Sequence, residues 1–192
     1  MKTMLPISRS RNFIHSVGVP VLACLAVASV SGGQVTAAAD PVPQVHDARL
    51  KLTLVAEDPE IVTPIGLAID ADDRLFVLES HTHEQPSDYN GPEADRVKMF
   101  VDADRDGEFE DVRIFADGIQ TGLNLAFSPE GVLHVVCARE VLALPDNNGD
   151  GTCDGPRQIL KMQTRERYSH NCLLGITFDR AGWMYVSRGN TG

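Results

Sequence analysis

The chain has 192 residues, enough for one modest domain, and a formal net charge of −10. Residues 1–39 contain Lys2, Arg9 and Arg11 and no acid, so the chain beyond Ala39 carries −13. That surplus would repel phosphate and excludes nucleic acid as a partner.

Residues 1–39 read as a targeting segment. A basic start precedes an apolar run from Val17 to Val30, short against the roughly twenty residues of a membrane span. Ala37-Ala38-Ala39 fits the small-residue pattern of a signal-peptidase site, which predicts cleavage after Ala39 and export to the periplasm or beyond. Contact with a membrane is expected only if this segment stays uncleaved as an anchor. Residues 40–49 form a linker containing Pro41 and Pro43. Four cysteines are present, one of them, Cys24, in the leader. Cys137, Cys153 and Cys172 make no CxxC, no haem-attachment site and no zinc spacing, and read as ordinary small residues. A Cys153–Cys172 or Cys137–Cys172 bridge is the alternative in an exported chain.

Leu50 to Val55 alternates as a strand does. A strand–turn–strand unit then occurs three times: from Gly66 (GLAIDADDRLFV), from Asn124 (NLAFSPEGVLHV) and from Gly175 (GITFDRAGWMYV). Ile69, Phe127 and Phe178 align, as do Leu75, Leu133 and Met184, and then Val77, Val135 and Val186. The turn carries Gly131 and Gly182 at one position and Asp73 in that slot of the first copy. These residues suit a positive φ. Apolar alternation on both sides predicts three β-hairpins about fifty residues apart, a propeller-blade spacing.

The connections between hairpins also repeat. After the first come a His81–Asp95 loop, a strand at Arg96–Val101, an acidic loop and a strand at Val112–Phe115. After the second come Val141–Leu144, a second acidic loop and Gln158–Met162. His81 and His83 would point to one side of an extended backbone. With Glu84 they suggest a metal pair, but no third ligand stands at a firm spacing, so the segment reads as a polar surface loop rimming a pocket. Each repeat is thus a four-stranded blade, and residues 50–192 hold about two and a half. The fold class expected is all-β, a truncated β-propeller. Its core would include Leu52, Leu54, Ile69, Phe76, Val77, Phe100, Leu125, Phe127, Val135, Ile176, Phe178 and Tyr185. Two and a half blades do not close a ring. The chain is therefore expected to be the amino-terminal part of a longer reading frame, or to associate so that its edges are covered.

Both acidic loops follow D-x-[DN]-x-D-G. Asp102, Asp104 and Asp106, and likewise Asp146, Asn148 and Asp150, would converge on one point where the following Gly turns the chain. Asp111 and Asp154 stand further on as closing acids. Such an oxygen cage suits Ca²⁺. The alternative is a tight Asx-Gly turn that binds nothing. Strands on both sides, and no Glu at the twelfth position, exclude an EF-hand.

His170-Asn171 precedes the third hairpin, which ends in Gly189-Asn190-Thr191-Gly192. A His at that end of a blade faces the central channel of a propeller and could take a proton near neutral pH. With Gly175, Phe178, Gly182 and Tyr185, this pattern resembles the six-bladed soluble quinoprotein glucose and sorbosone dehydrogenases. It is most similar to the large exported proteins called membrane-bound dehydrogenases. The resemblance covers Leu50 to Gly192, about the first half of that family's propeller. It implies that His170 takes a hydroxyl proton of a sugar or alcohol while hydride passes to the quinone of pyrroloquinoline quinone (PQQ). It also implies that Gln120, in Gln120-Thr-Gly-Leu123, contacts PQQ beside Asn171. Ser169 stands where the family often carries Asp. The identity of the electron acceptor is not implied. A non-catalytic propeller serving as a binding module, stabilised by Ca²⁺, is the rival reading.

Overall fold

The computed structural model describes residues 2–3, 43–83, 85–163 and 171–189. His170 and nearly all of the leader, including the cleavage site, lie outside the described residues. The chain divides into two compact units, residues 1–58 and 59–192.

In the first unit, β1 (Lys2–Thr3) pairs in parallel with β2 (Lys51–Leu52). The expected strand over Leu50–Val55 is thus reduced to two residues. Leu54 of the expected core is exposed.

The second unit is a partial β-propeller. Its first blade is an antiparallel meander of β3 (Pro64–Ile69), β4 (Leu75–Glu79), β5 (Asp95–Val101) and β6 (Asp111–Ile119). The second blade repeats it with β7 (Gly122–Phe127), β8 (Leu133–Cys137), β9 (Glu140–Leu144) and β10 (Arg157–Lys161). A third begins with β11 (Leu173–Phe178) and β12 (Met184–Arg188). The inner strands β3, β7 and β11 pack side by side, as blades do around a channel.

The repeat is visible in detail. The three hairpin turns place Asp73, Gly131 and Gly182 at φ of 65°, 81° and 87°, as the turn chemistry predicts. In each turn the carbonyl of the first residue (Asp70, Ser128 or Asp179) accepts from the N–H of that left-handed residue. Every inner strand slips register at its start, between Pro64 and Gly66, Gly122 and Asn124, and Leu173 and Gly175. Three equivalent backbone bonds close the same end of each hairpin: Ser80 N–H to Thr63 O at 3.1 Å, Ala138 to Thr121 at 2.8 Å and Gly189 to Cys172 at 2.9 Å.

Two cores lie between blades. Phe76 and Leu78 on β4 meet Leu125, Leu133, Val135 and Cys137 of the second blade. Phe76 sits edge-on between Phe115 and Phe127, with ring centroids 5.0 Å from each. Alternation carries the next residues to the opposite face, where Val136 and Val141 meet Leu173, Ile176, Phe178 and Met184 of the third blade. This alternation corrects two expected core positions. Ile69 is 64% exposed and Tyr185 56% exposed, because among the described residues no other blade packs on the face that each occupies. Their equivalents within the stack are covered by a neighbouring blade.

The middle strands β4 and β8 are buried throughout and bring two ionisable groups inside. His134 lies against the Phe178 ring at 4.9 Å, with its Nδ1 2.9 Å from Val132 O. Burial holds it below 6.5, with the charge of Arg157 adding to the effect and Glu130 opposing it. Glu79 is desolvated, which raises its pKa. The Val62 N–H, His81 and Lys98 outweigh that and bring it below 4.5. Both groups bind more protons unfolded than folded, so both stabilise the fold at neutral pH and lose that contribution as pH falls. Stability should therefore decline in two stages, below pH 6.5 and again below pH 4.5. Unfolding by urea across this range should show both stages, and His134→Gln should flatten the first alone.

Candidate functional site

The antiparallel meanders sort the connections between two ends of the propeller. One end carries the loops that lead into each inner strand, and the other carries the hairpin turns and both acidic loops. The expected site residues are therefore divided, with Gln120 and Asn171 at the first end and all the Asp-rich positions at the second.

Backbone bonds tie the first end together. Ala138 N–H donates to Thr121 O at 2.8 Å, and Leu173 N–H donates to Ala138 O at 3.0 Å. Gln120, Arg139 and Asn171 flank this chain of bonds. Gln120 is exposed, and its Nε2 reaches Glu93 O at 3.3 Å. Asn171 is buried, and its Oδ1 accepts from Arg188 Nη2 at 2.8 Å. Thr63 and Thr121 hold equivalent positions here, with φ of 46° and 51°. A β-branched residue in the left-handed region is strained, and the strain recurs at the same point of both blades.

Beside them lies a buried polar cluster that the spacing of residues did not reveal. Asp95 at the head of β5 is fully buried. Its Oδ1 accepts from the N–H of His81 at 2.5 Å and of Thr82 at 2.8 Å. Its Oδ2 accepts from Thr82 Oγ1 at 2.8 Å and from the Gly122 N–H at 2.7 Å. Thr82 Oγ1 in turn accepts from the Thr121 N–H at 2.9 Å. One carboxylate thus fastens the long loop of the first blade to the opening of the second.

His81 is buried and His83 exposed, so the two do not share a site. His81 Nδ1 contacts the Tyr89 hydroxyl. Its Nε2 lies 3.1 Å from Glu79 Oε2 without the alignment of a hydrogen bond. Glu79 Oε1 meets Lys98 Nζ at 3.0 Å and the Val62 N–H at 2.6 Å. Instead of a wholly exposed surface loop, residues 80–95 begin and end inside the blade.

At the other end the two acidic loops match bond for bond. The Gly107 N–H donates to Asp102 Oδ2 at 2.8 Å and the Gly151 N–H to Asp146 Oδ2 at 3.0 Å. Glu108 donates to Asp106 and Thr152 to Asp150, both at 2.8 Å. Glu110 closes the first loop by accepting from the Ala103 N–H at 2.9 Å, as Asp154 closes the second by accepting from Asn147 at 2.6 Å. Asp111, the closing acid expected from the spacing, instead opens β6 and pairs with Arg113.

The loops differ in what they leave unfilled. Asp102, Asp104, Asp106 and Glu110 each bring a carboxylate oxygen within 4.8 Å of the others, the single such group among the described residues. Asp102 Oδ1 is buried and has no hydrogen-bond partner. In the second loop the equivalent Asp146 Oδ1 accepts from Gly149 at 2.8 Å and Asp150 at 3.1 Å. The first loop is therefore the one whose oxygens suit a hard cation. The second is a staple between blades. Its Cys153 N–H donates to Phe115 O at 2.7 Å, and Gly151, at φ 81°, sits where a Cβ would lie 2.8 Å from Met99 Cε.

A family model described as a domain of unknown function, DUF7133, matches residues 44–192. The chain belongs to this family. No curated protein matches it. Among solved structures, the DUF7133 chain is similar to the holo form of the PQQ domain of pyranose dehydrogenase from Coprinopsis cinerea. The identity is 13% and the TM-score 0.47, over 63% of this chain and 26% of that one. It is also similar to a gluconolactonase from Xanthomonas campestris, at 21% identity and TM-score 0.47, over 67% of this chain and 36% of that one. It thus spans about a quarter of the first protein's length and about a third of the second's. Within the DUF7133 domain Cys137, Cys153 and Cys172 form no disulfide, so neither bridge is made. Burial pushes the Cys137 thiol up to about 12, and the charges of Glu140 and Asp95 add to the shift.

Proposed function

We propose that these blades are the first part of an exported propeller of the PQQ-type sugar or alcohol dehydrogenase kind, with His170 as general base. The observation that carries this reading is the run of backbone bonds through Thr121, Ala138 and Leu173, which gathers Gln120, Asn171 and two arginines at one end. Arg139 and Arg188 there suit the carboxylates of PQQ, and the Gln120 amide is exposed beside them. When bound, PQQ supplies the quinone that accepts hydride. His170 directly precedes the buried Asn171, and in this reading it removes the substrate hydroxyl proton. Asn171 holds Arg188 in place. Export follows from the basic, apolar and small-residue order of residues 1–39.

Calorimetric titration of PQQ into the full chain tests this reading. Binding heat is expected, and it should be lost on combining Gln120→Ala with Arg188→Ala. The chain by itself is expected to bind without turning over glucose in a dye-linked assay. Absence of heat would leave the rival reading, a propeller that serves as a non-catalytic binding module.

In the same reading Ca²⁺ binds the first acidic loop, through Asp102, Asp104, Asp106 and Glu110. The orphaned Asp102 Oδ1 supports this. Ca²⁺ added to chelator-treated protein should bind with millimolar to micromolar affinity. At a hundred times its Kd it should stabilise the fold by about 2.7 kcal/mol. Asp106→Asn should abolish most of that gain, and Asp150→Asn should leave it intact. No heat and no shift in unfolding would refute the site.

A further inference from the structure

The connection between the second and third strands of a blade differs sharply between the first two blades. It runs over residues 80–94 in the first blade and over Ala138 and Arg139 alone in the second. Connections as long as the first commonly carry a function. Three bonds cross from this insertion, with Asp95 at its close, to three consecutive residues at the entry of the second blade. Gln120 Nε2 donates to Glu93 O at 3.3 Å. The Thr121 N–H donates to Thr82 Oγ1 at 2.9 Å, and the Gly122 N–H donates to Asp95 Oδ2 at 2.7 Å.

The insertion is itself fixed from within. Asp95 Oδ1 accepts from the N–H groups of His81 and Thr82, and the Tyr89 hydroxyl meets His81 Nδ1. Gly91 leaves room for that ring, because a Cβ there would overlap the Tyr89 hydroxyl.

Thr121 is the residue that needs such support. At φ 51° it is β-branched in the left-handed region, a state that persists only where the surroundings fix it. The bond from Ala138 to its carbonyl has a counterpart in each blade. The bonds from Thr121 and Gly122 to Thr82 and Asp95 come in addition to it. Thr63, the equivalent residue of the first blade, follows Val62, whose side chain has no polar group to present. Thr121 follows Gln120.

We propose that Thr82 and Asp95 are positioning residues for Gln120, and that the insertion of the first blade serves to hold the Gln120 amide at this end of the propeller for its ligand. The inference rests on the reading of Gln120 as a contact of PQQ. The Thr82 hydroxyl is the joint of the device, since it donates to Asp95 Oδ2 while accepting from the Thr121 N–H. Without it the strained turn that aims Gln120 loses a support on its N–H side.

Calorimetric titration of PQQ into variants of the full chain, with amide hydrogen exchange of the same proteins free of PQQ, tests this. Thr82→Val should weaken PQQ binding about tenfold, the worth of one hydrogen bond, and speed exchange of the Thr121 amide by a similar factor. Thr82→Ser keeps the hydroxyl and should restore both. In a Gln120→Ala background Thr82→Val should cause no further loss of affinity, whereas a merely structural role would cost the same factor there. If Thr82→Val does not fold, Thr82→Ala takes its place. Wild-type affinity in the valine variant, a loss that persists without the Gln120 side chain, or unchanged exchange at Thr121 would each overturn the inference and leave the PQQ reading standing. A wild-type chain that binds no PQQ would overturn both.

Discussion

Replacing Asp95 with alanine is expected to cost about 3–4 kcal/mol of folding stability, the largest loss from any single polar side chain described above. The residue is fully buried, and its carboxylate accepts four hydrogen bonds. Truncation would leave the N–H groups of His81, Thr82 and Gly122 without an acceptor in a site closed to water. Each orphaned donor costs about 1–3 kcal/mol, discounted because the loop can relax. Asp95→Asn should cost less, about 2 kcal/mol, since one oxygen remains and one amide nitrogen faces donors. Thr82→Val removes only the side-chain link and should cost about 1 kcal/mol. Urea unfolding of the three variants reads this order directly. If Asp95→Ala were neutral, the carboxylate would not be what fastens the first blade to the second.

Phe76→Ala should cost about 3–5 kcal/mol by opening a cavity in the core between the first two blades. The ring is buried and edge-on to two others, one within its own blade and one in the next. The loss should appear with little change in the denaturant slope, because the blades unfold as one unit. Phe178→Ala, whose ring is partly buried in the second inter-blade core, should cost less. Equal losses at the two positions would argue against the difference in burial between the two rings.

Much of the fold was legible because the chain repeats. Three aligned turns with Asp73, Gly131 and Gly182 announce their backbone conformation through residue type alone, since a left-handed residue favours Gly, Asn or Asp. The paired strands follow from apolar alternation. Alternation shows that two faces exist, and not which of them a neighbour covers. That is why Ile69 and Tyr185 read as core and stand exposed. The strand expected at Leu50–Val55 fails for a related reason, because alternation without a pairing partner specifies no ladder beyond two residues.

The site was legible only in part. The D-x-[DN]-x-D-G pattern located both acidic loops, yet it could not choose Glu110 over Asp111, because adjacent acids differ only in which way the backbone turns them. Nor could it separate the loops from each other. The orphaned oxygen on Asp102 and the paired one on Asp146 arise from backbone donors that carry no sequence signature. Asp95 left no mark at all. Its donors come from positions 13 to 27 residues away and are mostly main-chain N–H groups. The His81–His83 pair, which alternation placed on one side, is split because the chain leaves the strand at Glu79 and the loop turns His81 inward.

The central claim is that one four-stranded module is copied along the chain and that successive copies pack face to face. A double-mutant cycle between Phe76 of the first blade and Phe127 of the second tests it most directly, with Leu in place of each ring. The packed arrangement predicts a coupling of about 0.5–1.5 kcal/mol between two residues 51 positions apart. Additive losses, with coupling below about 0.3 kcal/mol, would mean that the two blades do not meet at these rings and would contradict the stacked architecture.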